Sequence, residues 1–134
     1  PLMGTGDWND GMNLVGAQGK GESVWLAWFM VDVLRGMAEM SALMGQPELS
    51  RTYHQDREAL IQCIERFAWD GEWYVRYFDY DGSKIGSKEN EQGQIYTNAQ
   101  SWNIFAGFAE GERAETALNS VNRFLNTKNG ITLS

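Results

Sequence analysis

Four stretches of this sequence repeat apolar residues at the spacing of an α-helix, in which every third or fourth residue shares a face. They predict helices at residues 23–44, 47 to about 67, 98 to about 108, and 112–125. The first and third are apolar on nearly every face, whereas the second and fourth carry charges along one side. Because a helix that is apolar all round is surrounded by protein, inner helices alternate with outer ones. The pattern predicts an all-α fold of helical hairpins, as in a ring of stacked hairpins around a central pocket.

Residues 69–87 do not follow the helical pattern. Asp70-Gly71 and Asp81-Gly82 are turn dipeptides, and the run between them is rich in aromatic residues, which favour extended backbone. We therefore predict a short β excursion near residues 72–86, followed by a polar loop.

Composition narrows the possible partners. The net charge of −7 and the pI near 4.6 argue against nucleic acid and against an anionic membrane surface. Cys63 is the single cysteine, so we expect neither a disulfide framework nor a cysteine-based metal site. The 134 residues lack an initiator Met. We expect residues 1–134 to be a fragment of a single catalytic domain, incomplete at both ends.

The densest cluster of polar chemistry is the glycine-rich segment at residues 4–16. It contains Asp7, Trp8, Asn9 and Asp10 and leads into the first helix. Glycine permits tight turns, and Asp and Asn prefer turns and helix caps, so the segment is predicted to be a loop on a rigid support.

Three common binding fingerprints do not fit this region. A phosphate loop needs a glycine five residues before Gly-Lys-Ser/Thr, whereas here Leu14 holds that position and Gly21 follows the lysine. A dinucleotide fingerprint lacks its third glycine and its surrounding βαβ unit. A calcium loop would need an alternation of oxygen ligands that Gly11 and Met12 interrupt.

A carboxylate beside an indole over an apolar pocket suits carbohydrate chemistry. Trp stacks on a sugar ring, and one carboxylic acid, with its pKa raised by burial, can protonate a glycosidic oxygen. From spacing alone, an equally good interpretation is that Asp7 and Asp10 are turn formers and helix caps.

The motifs together resemble glycoside hydrolase family 94, which contains inverting disaccharide and oligosaccharide phosphorylases and the phosphorylase-like domain of cyclic β-1,2-glucan synthases. The likeness covers essentially the whole chain. It is carried by Pro-Leu-Met-Gly-Thr-Gly-Asp-Trp-Asn-Asp-Gly-Met-Asn at residues 1–13, Gly-Lys-Gly-Glu-Ser-Val-Trp-Leu-Ala-Trp-Phe at 19–29, Gly-Ser-Lys-Glu-Asn-Glu at 86–91, Asn-Ala-Gln-Ser-Trp at 98–102 and Gly-Ile-Thr-Leu at 130–133.

The resemblance implies an (α/α)6 barrel of which this chain forms about two hairpins. Asp10 matches the family's general acid, and Trp8 would line the sugar subsite beside the scissile bond. Asp7 and Asn9 would shape the loop and bind hydroxyls. A second substrate-binding block matches Gln100, Ser101 and Trp102. The family's phosphate-binding residues would lie beyond Ser134.

The implied reaction is the phosphorolysis of a β-glucosidic bond to a sugar 1-phosphate. Inorganic phosphate is then a co-substrate and the nucleophile, so the protein supplies one acid and needs no cofactor or metal. The expected partners are β-linked glucosides and phosphate. We expect the fragment alone to be inactive and to associate with itself or with the rest of the parent chain.

Three alternatives remain open. The chain could belong to the phosphorylase-like C-terminal domain of a cyclic β-1,2-glucan synthase, whose parent would be in the inner membrane rather than cytoplasmic. It could belong to an inverting α/α-barrel hydrolase, which needs a second carboxylate roughly 6.5–9.5 Å from the first. It could also be a non-catalytic helical binding module.

Overall fold

The computed structural model describes residues 1–3, 14–15, 18–108 and 111–134. Within these residues the chain is mostly helical, as predicted, with five two-residue strands. The helices are α1 (Val24–Leu43), α2 (Pro47–Phe67), α3 (Thr97–Phe105) and α4 (Glu112–Leu125). The strands are β1 (Glu22–Ser23), β2 (Tyr77–Phe78), β3 (Lys84–Ile85), β4 (Asn126–Thr127) and β5 (Gly130–Ile131).

The first hairpin consists of α1 and α2. Ser23 caps α1, because its hydroxyl oxygen accepts a hydrogen bond from the Leu26 N–H at 3.2 Å. Gly45, with a φ of 72°, turns the chain after α1, and Pro47 then occupies the first turn of α2. The predicted range 23–44 is therefore correct except that its two end residues are the caps.

The second hairpin consists of α3 and α4. The prediction that α3 extends to about residue 108 is too long. After Phe105 the chain turns at Gly107, whose φ is 68°, and the Phe108 N–H bonds to the Asn103 carbonyl at 3.2 Å. The turn lets Phe108 stack on Trp28, with ring centroids 5.4 Å apart. Phe108 therefore belongs to the core and not to the helix.

A polar contact ties the two hairpins together at α2 and α4. The Arg113 guanidinium lies 2.6 Å from one carboxylate oxygen of Glu65, and the Tyr74 hydroxyl donates to the other. Burial, and then the Glu65 carboxylate, raise the pKa of the Tyr74 hydroxyl far above its ordinary value. Tyr74 therefore stays a neutral donor throughout the physiological range.

The β excursion forms an antiparallel sheet in the order β1-β2-β3. Residue Ser23 of β1 pairs with Tyr77 of β2, which pairs in turn with Ile85 of β3. The β2–β3 hairpin confirms the predicted excursion. Strand β1 was not predicted, because its partner lies more than fifty residues away in the sequence. The sheet holds the start of α1 against the excursion.

The main core lies where α1, α2 and α3 meet beneath the sheet. Trp28 and Val31 are fully buried there, and Tyr74 meets Trp28 edge-on at 5.3 Å. The other face of α1 leaves Phe29, Met30 and Met40 about half exposed within the described part of the chain. Among the described helices, none is both long and apolar enough to cross a lipid bilayer.

Candidate active site

The segment predicted to carry the acid is anchored at the start of α1. Asp7, Trp8, Asn9 and Asp10 themselves lie outside the described residues. The residues on either side of the segment are described, and they meet: the Met3 N–H donates to the Gly21 carbonyl at 2.8 Å.

A small buried cluster fixes these anchor points. Met3, Val15 and Tyr77 pack together, each less than a tenth exposed. Gly21 lies so close to Val15 that a Cβ added to Gly21 would be 2.2 Å from the Val15 carbonyl oxygen. The chain before residue 4 and the chain after residue 13 are therefore held on one support, the buried Tyr77 of β2.

An apolar groove opens near these anchors. Trp25, Leu26 and Phe29 of α1 and Trp102 of α3 line a groove of about 360 Å³. Trp102 meets Phe29 edge-on at 5.1 Å and Trp25 edge-on at 6.0 Å. Trp25 Nε1 is buried without a hydrogen-bond partner in the part of the chain that the structure describes. We call these four residues the aromatic groove; they offer rings to a sugar face or to another apolar surface.

The three consecutive residues predicted to bind substrate occupy different environments. Gln100 is fully buried, and its amide bonds to the Tyr74 backbone N–H at 2.9 Å and to the Tyr74 carbonyl at 2.8 Å. Ser101 is half-buried. Trp102 lies in the wall of the aromatic groove. Gln100 thus holds the scaffold in this arrangement; direct substrate contact by any of the three stays a prediction.

Arg76 is a buried cation that the sequence analysis missed. It is 3% exposed, and its guanidinium lies 4.3 Å from the Tyr77 ring centroid and 5.2 Å from the Trp25 ring centroid. Its Nη1 is 3.4 Å from the Ser23 hydroxyl oxygen. A single arginine in an aromatic run has no local signature, so only the fold reveals this position.

Asp70, which precedes the excursion, is bonded to the residues that follow it. Its carboxylate accepts hydrogen bonds from the Ser87 hydroxyl and the Lys88 N–H, both at 2.9 Å, and Lys84 Nζ lies 3.3 Å away. Burial of Asp70 works against its ionisation, but these donors and the Lys84 charge outweigh that effect and hold the pKa of the carboxyl below its usual value. Ser87 and Lys88 of the motif at residues 86–91 thus hold the Asp70 carboxylate, and we call this contact the Asp70 lock.

The whole chain, residues 1–134, matches the family described as the glycosyl hydrolase 94 superfamily, catalytic domain. The chain belongs to this superfamily. The match includes the segment anchored by Met3 and Gly21, both walls of the aromatic groove and the Asp70 lock.

Curated relatives agree with the family assignment. The chain is 37% identical over 135 residues to a solabiose phosphorylase from Paenibacillus borealis, covering 99% of this chain and 18% of that protein. It is 36% identical over 120 residues to a 3-O-beta-D-glucopyranosyl-beta-D-glucuronide phosphorylase of the same organism, covering 90% and 16%. It is 38% identical over 121 residues to the cyclic beta-(1,2)-glucan synthase NdvB of Rhizobium meliloti strain 1021, covering 90% and 4%. The chain thus spans less than a fifth of these relatives' length.

Proposed function

We propose that this chain is part of the (α/α)6 catalytic barrel of an inverting glycoside phosphorylase that acts on a β-glucoside. The observation that carries the proposal is the family match over the whole chain, together with phosphorylases among the relatives at 36% and 37% identity. The two helical hairpins, α1–α2 and α3–α4, are compatible with a segment of such a barrel.

In the proposed reaction, Asp10 is the general acid. A phosphate oxygen attacks the anomeric carbon from the face opposite the leaving group, the bond from that carbon to the glycosidic oxygen breaks, and Asp10 transfers its proton to that oxygen. The products are a sugar 1-phosphate of inverted configuration and the released acceptor sugar. Phosphate is the nucleophile, so no second carboxylate is needed to activate water.

The described residues next to the glycine-rich segment at residues 4–16, which we call the acid segment, support this proposal. Its anchors, Met3 and Gly21, are joined at the start of α1, and the aromatic groove begins two residues into that helix at Trp25. We propose that Trp8 stacks on the sugar next to the scissile bond, that Asp7 and Asn9 bind hydroxyls, and that Ser101 and Trp102 belong to the same pocket. Gln100 would contribute by holding the chain that carries them.

A cyclic-glucan synthase domain is the second candidate, and the 38% identity to NdvB favours it specifically. The two candidates differ in the length and membrane association of the parent. In either case we propose that the exposed apolar side chains of α1 contact the rest of the parent chain or a second copy, and that the phosphate site is formed outside residues 1–134.

The proposal is tested in the parent protein with phosphate and β-1,2-, β-1,3- and β-1,4-linked glucobioses. We expect phosphate-dependent release of sugar 1-phosphate from at least one of them. Asp10→Asn should lower kcat by about 10²–10⁴-fold, the usual contribution of a general acid. Release of free sugar at the same rate without phosphate would instead identify a hydrolase.

A leaving group that needs no proton separates loss of the acid from misfolding. An Asp10→Asn parent should retain most of its activity towards a β-glucosyl donor with a dinitrophenolate leaving group, because that group departs without protonation. Equal losses on both kinds of donor would contradict the acid role. The isolated fragment should release no sugar 1-phosphate from any of the three glucobioses.

A further inference from the structure

Arg76 lies at the point where the anchors of the acid segment meet the aromatic groove. Its backbone joins the two parts of the sheet: its N–H donates to the Ile85 carbonyl at 2.8 Å, and its carbonyl accepts from the Val24 N–H at 3.1 Å. Arg76 therefore extends the sheet's connection between β3 and the start of α1 by one further residue.

The Arg76 side chain makes a second set of connections. Its guanidinium lies over Tyr77, the support of the anchor cluster, and over Trp25, the first wall of the aromatic groove. Its Nη1 reaches the Ser23 hydroxyl that caps α1. One planar cation thus touches the anchor support, the helix cap and the groove.

The chemistry of the guanidinium suits a positioning role. Its flat face stacks on aromatic rings while its N–H groups donate at the edge. Lysine has neither the flat face nor the fork of donors. A buried arginine held in this way resists movement of Tyr77 relative to Trp25.

We propose that Arg76 is a positioning residue, which fixes the anchor cluster of Met3, Val15 and Tyr77 relative to the aromatic groove. The inference rests on the proposed function, because it takes the segment anchored by Met3 and Gly21 to carry the acid. Displacement of a reacting group by about 1 Å can cost about 10²-fold in rate. Loss of Arg76 should therefore lower kcat and leave KM for the glycoside nearly unchanged.

The test compares Arg76→Ala, Arg76→Lys and wild type in the parent protein, with kcat and KM measured on the glucobiose that wild type cleaves. We expect Arg76→Ala to lose about 10²-fold in kcat. Added guanidinium ion should restore part of that loss, whereas NaCl at equal ionic strength should not. Arg76→Lys, which keeps the charge but not the planar group, should lose part of kcat at an unchanged Tm.

Arg57→Ala is the matched control. Arg57 is half-buried on α2, and its Nη2 donates to the carbonyl of Ala106, the residue that follows α3, at 3.1 Å. Its loss should lower Tm and leave kcat unchanged. A wild-type kcat in Arg76→Ala would overturn the inference. If Arg76→Ala does not fold, a wild-type kcat in Arg76→Lys would overturn it, and a lowered kcat at normal Tm would support it.

Failure of the proposed function gives a different result. A parent that cleaves the glucobiose with water and not with phosphate contradicts phosphorolysis, and the kcat ratios of the Arg76 variants are then measured on hydrolysis with the same expected order. A parent inactive by both routes contradicts the proposed function and the positioning role together. An active wild type with unaffected Arg76 variants contradicts the positioning role alone.

Discussion

Gln100 bonds to both backbone polar atoms of Tyr74: its carbonyl oxygen accepts from the Tyr74 N–H at 2.9 Å, and its amide N–H group donates to the Tyr74 carbonyl at 2.8 Å. Gln100 is on α3, and Tyr74 is in the segment that follows α2. The two hydrogen bonds resemble the pairing between neighbouring β-strands, and they join two residues that are 26 positions apart in the sequence. These hydrogen bonds fix the position of α3, and therefore the position of Trp102, relative to α1.

Replacing Gln100 should therefore destabilise the protein strongly. In Gln100→Ala, a buried N–H and a buried carbonyl lose their partners together, at a cost of about 1–3 kcal/mol for each group. We expect a clear fall in the Tm of the parent. Gln62→Ala is the control: the Gln62 amide donates to the exposed side chain of Glu58 one turn away, so its loss should cost almost nothing. We call the two hydrogen bonds between Gln100 and Tyr74 the Gln100–Tyr74 clamp. Equal Tm values for the two variants would contradict its stabilising role.

Local pattern predicted the helices because each carries its own signals. Pro47 marks the start of α2, and Gly45 and Ser23 mark the two ends of α1. The Gln100–Tyr74 clamp and the β1–β2 pairing join residues far apart in sequence, and no periodicity encodes them. The end of α3 was predicted too late, because an apolar residue that turns back into the core reads like one more helical position.

The residues of the candidate site also differ in whether the sequence alone could predict them. Asp10 is predicted to be the acid from the family resemblance, since its spacing alone fits a turn equally well. Trp102 is likewise predicted from a block that resembles the family, whereas Arg76 acquires its position only when β1 and β2 pair. Contacts made by tertiary pairing are the part that a single sequence does not contain.

Asp70 should make stability depend on acid pH. Its pKa in the folded chain lies below its ordinary value of 3.8, so its stabilising effect is complete above that value and is lost as the pH falls below it. Asp70→Asn replaces an acceptor of three hydrogen bonds by an amide that cannot accept as many. We expect a lower Tm at pH 7 and a smaller further loss between pH 5 and pH 3 than wild type has.

Thermal unfolding at a series of pH values measures this effect. Asp56→Asn provides the comparison, since Asp56 is on the exposed face of α2. An Asp70→Asn variant whose Tm follows the wild-type curve down to pH 3 would show that the carboxylate does not stabilise the excursion. At pH 7 the Asp70→Asn substitution should lower the free energy of unfolding by about 2 kcal/mol or more, which is the scale for hydrogen bonds to a buried charge.

Gly86 and Gly82 should tolerate alanine to different degrees. Both have a φ of 85°, so a side chain costs about 1–2 kcal/mol of backbone strain at either position. At Gly82 the space for a Cβ is open, whereas at Gly86 the Cβ would lie 2.8 Å from the Arg76 backbone nitrogen and 2.9 Å from the Arg76 Cβ. Gly86→Ala should therefore lower Tm well beyond Gly82→Ala. It should also lower kcat, because the clash displaces Arg76; equal Tm shifts in the two variants would contradict the close approach.

Trp102 should affect substrate binding more than folding. Trp102→Phe keeps a ring that can still meet Phe29 and Trp25 edge-on but removes the wide indole surface of the aromatic groove. If a sugar stacks there, as proposed, the loss of about 0.5–1.5 kcal/mol of ring contact raises KM for the β-glucoside by up to about tenfold. Phe124→Leu is the control, because it removes an edge-on contact with Trp73 at 5.4 Å on α4, away from the groove. Steady-state kinetics of the parent should give a raised KM for Trp102→Phe alone; an unchanged KM would mean that the groove packs against protein and not against sugar.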